Sequence, residues 1–560
     1  MIHFFKTKRH SRQTNYVHFI LSASLIWFVL IATSQTGLTQ TQQGQRTQGT
    51  LGAGQSWENP WYQYDSLVKG PVVMILGGVH GNEPAGFRAA MQIRNWTVDN
   101  GKLIVVPQVN KLGLTANIRW IPEFRNDRKL RDLNRNFPRQ SDPKTKTEMA
   151  GALWEFIKDR KPDWVFDLHE GFDFHRVNPK SVGSSVIAFP EQAELANHLA
   201  SAANRHIPPE LAFSVLAKSG PVDGSAARAC REQIGTKSFI LETTFKDQPI
   251  SQRTRQHRAM VAAALQSIGV TQKDWSQQFS RPNHNNEDVI RVGVFDGAGA
   301  SAEKVFQAID SEQSIEGFHI GSDDLSEDVF QQLDVVLFPG GSGSKQGKAI
   351  GAERRELIRQ FTRNGGGVIG ICAGAYLCSS HYDWSLNLMN AKIYNDMVEI
   401  PERGRKSMWY RGGPANVKVE MSERAAELLG LGGQHTIRYH NGPIISPGSS
   451  QTAPDYEVLA RFRSENHLYE AQKGTMTDKP AIVMSKFGKG EVLAFSPHFE
   501  STKGKESVVL NGIKRVASRP FKQEAKPRSS ASDSWPSPVR PSVRDSLPAG
   551  VRPPIPFPTN

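Results

Sequence analysis

The stretch Val72-Val73-Met74-Ile75-Leu76-Gly77-Gly78-Val79-His80-Gly81-Asn82-Glu83 runs from five apolar residues through glycines into a histidine and a glutamate three positions apart. A short apolar run bounded by turn residues is the pattern of a buried parallel strand. His80 and Glu83 then stand just past the strand's carboxyl end, where open α/β sheets hold their ligands. Gly77, Gly78 and Gly81 permit tight turns there, and Glu83-Pro84-Ala85-Gly86 can start the next helix.

Working outward, Asp163-Trp164-Val165-Phe166-Asp167-Leu168 reads as a second strand that delivers His169 to the same edge. Two imidazoles and a carboxylate form the donor set of a catalytic zinc site with one position left for water. The set closes only if the two strands share a sheet. Asp167 is expected either to orient a ligand histidine or to serve structurally at the strand end. A third strand, Lys237-Ser238-Phe239-Ile240-Leu241, ends at Glu242, a carboxylate outside the donor set that can take a proton from water and pass it to a leaving nitrogen. Glu170 competes for that role because it adjoins His169, but neighbours on an extended chain face opposite ways, so the base is assigned to Glu242.

Asp132-Leu133-Asn134-Arg135-Asn136-Phe137-Pro138 adds an amide and a guanidinium, Asn134 and Arg135, suited to holding a substrate carboxylate. Arg125, Arg128 and Arg131 crowd its approach, and one of them is expected to polarise the scissile carbonyl and stabilise the oxyanion. The spacing does not choose among the three. Arg128 is grouped with Asn134 and Arg135 as substrate-binding.

These segments resemble the M14-type zinc carboxypeptidases, especially their succinylglutamate desuccinylase and aspartoacylase-like branch, over about residues 68 to 270. The resemblance is carried by His80-x-x-Glu83, Asp132-x-Asn134-Arg135, His169 and Glu242-Thr243-Thr244. It implies zinc at His80, Glu83 and His169, a substrate carboxylate at Asn134 and Arg135, and general-base chemistry at Glu242. One departure is that no tyrosine lies between Tyr64 and Tyr376, whereas digestive carboxypeptidases place one shortly before the base. A deacylase therefore fits as well as an exopeptidase.

Beyond the polar stretch around Arg281-Pro282-Asn283-His284-Asn285-Asn286, a fresh α/β pattern begins at Asp288-Val289-Ile290-Arg291-Val292-Gly293-Val294-Phe295. The run Asp334-Val335-Val336-Leu337-Phe338 leads into Pro339-Gly340-Gly341-Ser342-Gly343, whose backbone N–H groups can serve as an oxyanion hole. Gly367-Val368-Ile369-Gly370-Ile371 leads into Cys372-Ala373-Gly374-Ala375-Tyr376, and small residues around Cys372 permit the sharp strand-to-helix turn that exposes a nucleophile. The start of the following helix is expected to favour the thiolate. Late in the chain, Ser496-Pro497-His498-Phe499-Glu500 supplies a base and its orienter for a Cys-His-Glu arrangement. These motifs resemble the class I glutamine amidotransferase-like superfamily, in particular the domain at the N-terminus of some biotin-protein ligases, over about residues 288 to 515. Phe499 stands where typical members have proline, which weakens glutamine as the substrate. No synthetase or biotin-ligase catalytic domain follows, so hydrolysis or ligand binding is expected rather than ammonia delivery. Cys230 and Cys378 are read as buried apolar residues.

The chain of 560 residues accommodates two α/β domains: a zinc-carboxypeptidase-like mixed sheet flanked by helices, and a flavodoxin-like amidotransferase-type domain. The expected division is a signal peptide or anchor over 1–34, a spacer over 35–67, the first domain over 68–276, a linker over 277–287, the second domain over 288–515 and a proline-rich disordered tail over 516–560. Lys6, Lys8, Arg9 and Arg12 precede an apolar stretch from Val17 to Ala32, the pattern of export, and an uncleaved segment would tether the chain to a membrane. A periplasmic or cell-envelope location is expected. The formal net charge of +13 suits anionic partners, but no zinc finger, recognition helix or aromatic-basic platform argues for nucleic acid. The expectation is an exported zinc-dependent hydrolase of an amide beside a carboxylate, acting on a peptide or an N-acyl amino acid. The alternatives are Cys-His-Glu amidohydrolase chemistry in the second domain and a non-catalytic envelope binding protein.

Overall fold

Val73, Met74, Ile75 and Leu76 are all fully buried in the strand Val72–Gly77. A strand can bury consecutive residues only when both faces are covered. Val73 and Ile75 join one core with the helices Pro84–Ile93, Ala193–Ala203 and Ile250–Ile268, whereas Met74 and Leu76 join another with Glu148–Arg160 and Ala226–Ile234. The computed structural model describes residues 44–280 and 289–517. The expected signal or anchor, the first part of the spacer, most of the linker and nearly all of the tail lie outside the described residues. No helix among the described residues is long and apolar enough to cross a membrane.

The first sheet has eight strands in the order Gln45–Leu51, Asn59–Asp65, Lys102–Val106, Val72–Gly77, Trp164–Gly171, Lys237–Thr244, Ser185–Ile187 and Ser214–Leu216. Its four central strands are parallel, and antiparallel pairings flank them. The three strands that carry His80, His169 and Glu242 are consecutive in this order and end at the same edge. Residues 45–65, expected as part of the spacer, instead form two antiparallel strands, with Leu51 and Trp57 buried in the core. The Gln45–Leu51 strand alternates nothing but Gln, Arg, Thr and Gly before Leu51, so it offered no apolar period to read.

The second sheet has nine strands. Its parallel part runs in the order Ile315–Ile320, Ile290–Phe295, Val335–Phe338, Gly367–Ile371 and Gly490–Phe495. Numbered along the chain that order is 2-1-3-4-5, the flavodoxin arrangement. Four antiparallel strands extend it: Pro480–Phe487, Tyr456–Phe462, Ala415–Met421 and Gly433–Tyr439.

The two α/β halves are joined by buried polar contacts along the helix Ile250–Ile268. Arg258 on that helix pairs at 3.3 Å with Asp324, and both side chains are fully buried. Its guanidinium also donates to Ser276 O and Gln92 Oε1 and lies 4.3 Å from the ring centroid of Phe279. Phe279, expected in a solvated linker, is itself buried and stacks on Phe318, and its N–H donates to Gln332 Oε1 at 2.7 Å. Asp324→Ala leaves the Arg258 charge uncompensated, an expected loss of roughly 3–5 kcal/mol read as a fall in thermal midpoint, whereas substituting the exposed Lys304 leaves it unmoved.

Candidate functional site

His80 follows the Val72–Gly77 strand on a loop that runs against the helix Lys111–Ala116; a Cβ at Gly81 would sit 1.9 Å from the Gly113 carbonyl carbon. Glu83 is the residue before the helix Pro84–Ile93. His169 and Glu242 are register partners on adjacent parallel strands, so both side chains face the same way.

The structure brings His80, Glu83 and His169 together, with one ligand atom of each within 4.8 Å of the others and all three buried. His80 Nδ1 lies 2.8 Å from Glu83 Oε1, His169 Nδ1 lies 2.9 Å from Glu83 Oε2, and the two Nδ1 atoms are 3.1 Å apart. The far ring nitrogens meet carboxylates: His80 Nε2 is 3.1 Å from Asp132 Oδ1, and His169 Nε2 is 3.0 Å from Asp167 Oδ2. Protons held on the two Nε2 atoms leave both Nδ1 lone pairs pointing at each other and at a carboxylate. That arrangement is repulsive unless a cation sits among them, and two neutral imidazoles with one carboxylate are a zinc donor set. Burial lowers the His169 proton affinity, but Asp167 and Glu83 outweigh it and hold the pKa well above the usual value. The same field favours a metal cation.

Glu242 stands beside this set with Oε2 buried and without a hydrogen-bond partner among the described residues. Burial pushes its carboxyl up to about 8, against the pull of His169 and with the help of Glu83. Glu170 is spent elsewhere: its carboxylate accepts from the Ala85 N–H and pairs with Arg253, on the side away from His169.

Asn134 approaches His169, with Nδ2 3.5 Å from Nε2, while its Oδ1 accepts from the Ala226 N–H. Arg135 is half-buried next door and donates to the Asn134 carbonyl at 2.7 Å. Arg128 is on an exposed turn with Asp127 and Lys129, on a separate surface hollow. The guanidinium at the cluster belongs instead to Arg119, which donates to Glu83 Oε1 at 2.8 Å and lies 3.6 Å from Asp132 Oδ2. Arg119 is 36 residues from Glu83 in sequence and carries no spacing signature. The Asp132 contact to His80 was legible only as part of a motif. Burial alone would raise the Asp132 pKa, but His80, Arg119 and Arg135 hold it well below the carboxylate range.

In the second half, Cys372 has φ 51° and ψ −101° between the strand Gly367–Ile371 and the helix Ala373–Cys378. This conformation is strained for a residue with a Cβ. The turn is held by the Cys372 N–H donating to Phe495 O at 2.8 Å and by the Ala375 and Tyr376 N–H groups returning to Cys372 O. His498 Nδ1 is 2.7 Å from Glu500 Oε1. Burial pushes the His498 pKa down, but its hydrogen bonds to the Cys372 sulfur and to Glu500 outweigh this and hold it up at about 10. Gly340 makes the approach possible, because a Cβ there would lie 3.1 Å from His498 Cε1 and 3.9 Å from Cys372 Cβ. Cys230 and Cys378 are fully buried, and burial pushes both thiols up, Cys378 to about 12.

Residues 69–268 match the profile of the succinylglutamate desuccinylase/aspartoacylase catalytic domain, and residues 290–528 match that of the biotin-protein ligase N-terminal domain. The two matched stretches follow one another without overlap. Among curated proteins no match is found. Among solved structures, similarity extends to tripeptide-bound Csd4, a cell shape determinant of Helicobacter pylori, at 20% identity over 41% of this chain and 56% of that one, with a TM-score of 0.32. An aspartoacylase family protein of Mesorhizobium loti is 22% identical over 42% of this chain and 69% of that one, with a TM-score of 0.30. A metallopeptidase-like structure from Shewanella amazonensis gives 18%, 40%, 87% and 0.33 in the same terms. This chain spans about half the length of the Csd4 chains it matches.

Removing a group that orients a ligand histidine typically costs ten- to a hundredfold in metal affinity. Asp132→Asn is expected to weaken zinc by about that factor in a chelator competition. His80→Ala and His169→Ala abolish stoichiometric binding, and Glu170→Gln leaves it intact.

Proposed function

We propose that the front half is a zinc-dependent amidohydrolase acting on a bond beside a substrate carboxylate, in a peptide or an N-acyl amino acid. The observation that carries this reading is the convergence of His80, Glu83 and His169 next to a buried, unpartnered carboxylate oxygen on Glu242. Zinc held by those three side chains would supply a Lewis acid that makes water more acidic and polarises a carbonyl. Asn134 and Arg135 hold the substrate carboxylate and set which bond is presented. Glu242 takes a proton from water at its free oxygen and hands it to the leaving nitrogen, a role suited to a carboxyl whose proton affinity burial has raised. Arg119, which donates to Glu83 of the cluster, takes the role first expected of Arg125, Arg128 or Arg131, stabilising negative charge on the carbonyl oxygen. Action outside the cytoplasm is proposed from the sequence of residues 1–34 alone.

Glu242→Gln is expected to retain zinc while turnover of a peptide and N-acyl amino acid panel falls about 10²–10⁴-fold. Unchanged turnover sinks the assignment. Arg135→Gln is expected to raise KM for substrates with a free carboxylate while leaving their C-terminal amides, already poor, no worse.

A second reading is a Cys-His-Glu hydrolase in the biotin-ligase-type domain, favoured by the strained Cys372 elbow facing a carboxylate-oriented His498. The raised His498 pKa means that the imidazolium is retained through neutral pH. Its stabilising contribution is complete below the ordinary histidine value of about 6.5 and is lost as pH rises through about 10. In an NMR titration the His498 ring is expected to titrate near 10, falling toward the ordinary value in Cys372→Ala and in Glu500→Gln.

A further inference from the structure

Four consecutive residues beside the Cys372 centre are divided sharply by exposure. Met408 and Arg411 are buried, whereas Trp409 and Tyr410 between them are 45% and 41% exposed. The backbone that carries them is fastened on both sides. The fully buried Gln472 donates to the carbonyls of Met408 at 3.0 Å and Tyr410 at 2.7 Å, bracketing Trp409. Arg411 sends its guanidinium inward, to Asn466 O at 3.1 Å and Thr475 Oγ1 at 2.5 Å. Asn441 closes the other side: its Oδ1 accepts from the Arg411 N–H at 2.7 Å and its Nδ2 donates to Gly412 O at 2.9 Å.

Asn441 is also where this strip meets the nucleophile. The Cys372 sulfur lies 3.4 Å from the carbonyl of His440, the residue before it, and Tyr376, four residues after Cys372, donates its hydroxyl to the Asn441 carbonyl at 3.0 Å. Asn441 itself adopts φ 55°, a backbone strain kept at the junction. Three buried or part-buried polar side chains are thus committed to holding two aromatic rings out in water, on a strip tied through Asn441 to the segment that meets the Cys372 sulfur. Unpaid exposure of large apolar side chains on a clamped backbone marks a surface waiting for a ligand, and rigid aromatic groups bind at little cost in lost conformational freedom.

Resting on the second reading above, we infer that Trp409 and Tyr410 are the specificity platform of the Cys372 centre, that its substrates are acyl compounds carrying an aromatic ring close to the reacting carbonyl, and that Asn441 is the positioning residue tying platform to nucleophile. The two rings meet edge to face with centroids 5.6 Å apart, which offers an incoming ring both a face and an edge. In the step served, the Cys372 sulfur forms a bond to the acyl carbon, the bond from that carbon to the leaving oxygen or nitrogen breaks with its electron pair on the leaving atom, and the thiol proton, held by His498, passes to that atom. Water then adds to the thioester carbon, the carbon–sulfur bond breaks, and the sulfur regains a proton.

The test uses the full chain with two activated esters of the same leaving group, p-nitrophenyl acetate and p-nitrophenyl 3-phenylpropionate, reading p-nitrophenolate release together with the mass of intact protein. The expected result is acylation at Cys372, absent in Cys372→Ala, with a rate ratio of at least tenfold in favour of the phenylpropionyl ester. Trp409→Ala, at a surface position that does not threaten folding, brings that ratio down to about one. Asn441→Gly, which keeps the positive φ while removing both clamping hydrogen bonds, raises KM for the phenylpropionyl ester severalfold with kcat little changed, a split that loss of fold would not produce. Equal rates for the two esters in the wild-type chain, with Trp409→Ala moving neither, overturn the platform while the thiol centre stands. Failure of both esters to acylate Cys372 overturns the centre and the platform together.

Discussion

A carboxylate buried as deeply as Glu83, which keeps 3% of its surface, survives ionised only if cations or donors meet both of its oxygens. The front half is arranged around that requirement. Oε1 accepts from Arg119 and lies against His80 Nδ1, and Oε2 accepts from the Glu170 backbone N–H and lies against His169 Nδ1. His169 and Glu170 come from one strand, Trp164–Gly171, and His80 and Arg119 from two separate loops, so the carboxylate is satisfied only when the strand order, the loop pressed against Gly113 and the helix starting at Pro84 are all in place. The demand for positive charge at one point then makes the spot suitable for a divalent ion; burial alone would raise the Glu83 pKa, but His80 and His169 outweigh it and hold the carboxyl well below its usual value.

The thiol half answers a different constraint. Here the stress lies in the backbone at Cys372, and the parallel strands on either side hold it: the Cys372 N–H is bound to Phe495 at the end of the neighbouring strand, the same strand that leads to His498. Cys372 and His498 are therefore set by a single strand pairing, and their approach depends on Gly340 having no side chain. Both halves place their chemistry at the carboxyl edge of a parallel sheet, as doubly covered sheets generally do.

Much of this was legible in the residues. The apolar runs ending at Gly77, Leu168 and Leu241 located three adjacent strands, and Glu170 could be set aside because alternation turns it away from His169. The elbow at Cys372 followed from its small neighbours. What escaped notice has a common cause. Arg119 and the Asn441 clamp act through contacts between residues far apart in the chain, with no periodicity or spacing to betray them. The strand Gln45–Leu51 is polar almost throughout, and its place in the sheet rests on backbone pairing, on Arg46 donating to the carbonyls of Arg94, Asn95 and Trp96, and on Leu51 alone in the core, none of which shows as an apolar period. Phe279 sat in the polar stretch assigned to the linker, and what buries it, Phe318 of the second sheet and Arg258 of the first half, lies far from it or without periodicity in the chain.

The fully buried charge pair between Arg258 and Asp324 also bears on how such a chain can evolve. Arg258 lies in the stretch that matches one domain profile and Asp324 in the stretch that matches the other, and among the described residues Arg258 has no second carboxylate in contact to replace Asp324. Recombination that swaps one half for a homologue lacking the matching residue strands a lone ion at the seam. The seam is in this sense a ratchet: residues at the two sheet edges are free to vary independently, whereas those on either side of the buried pair are obliged to change together.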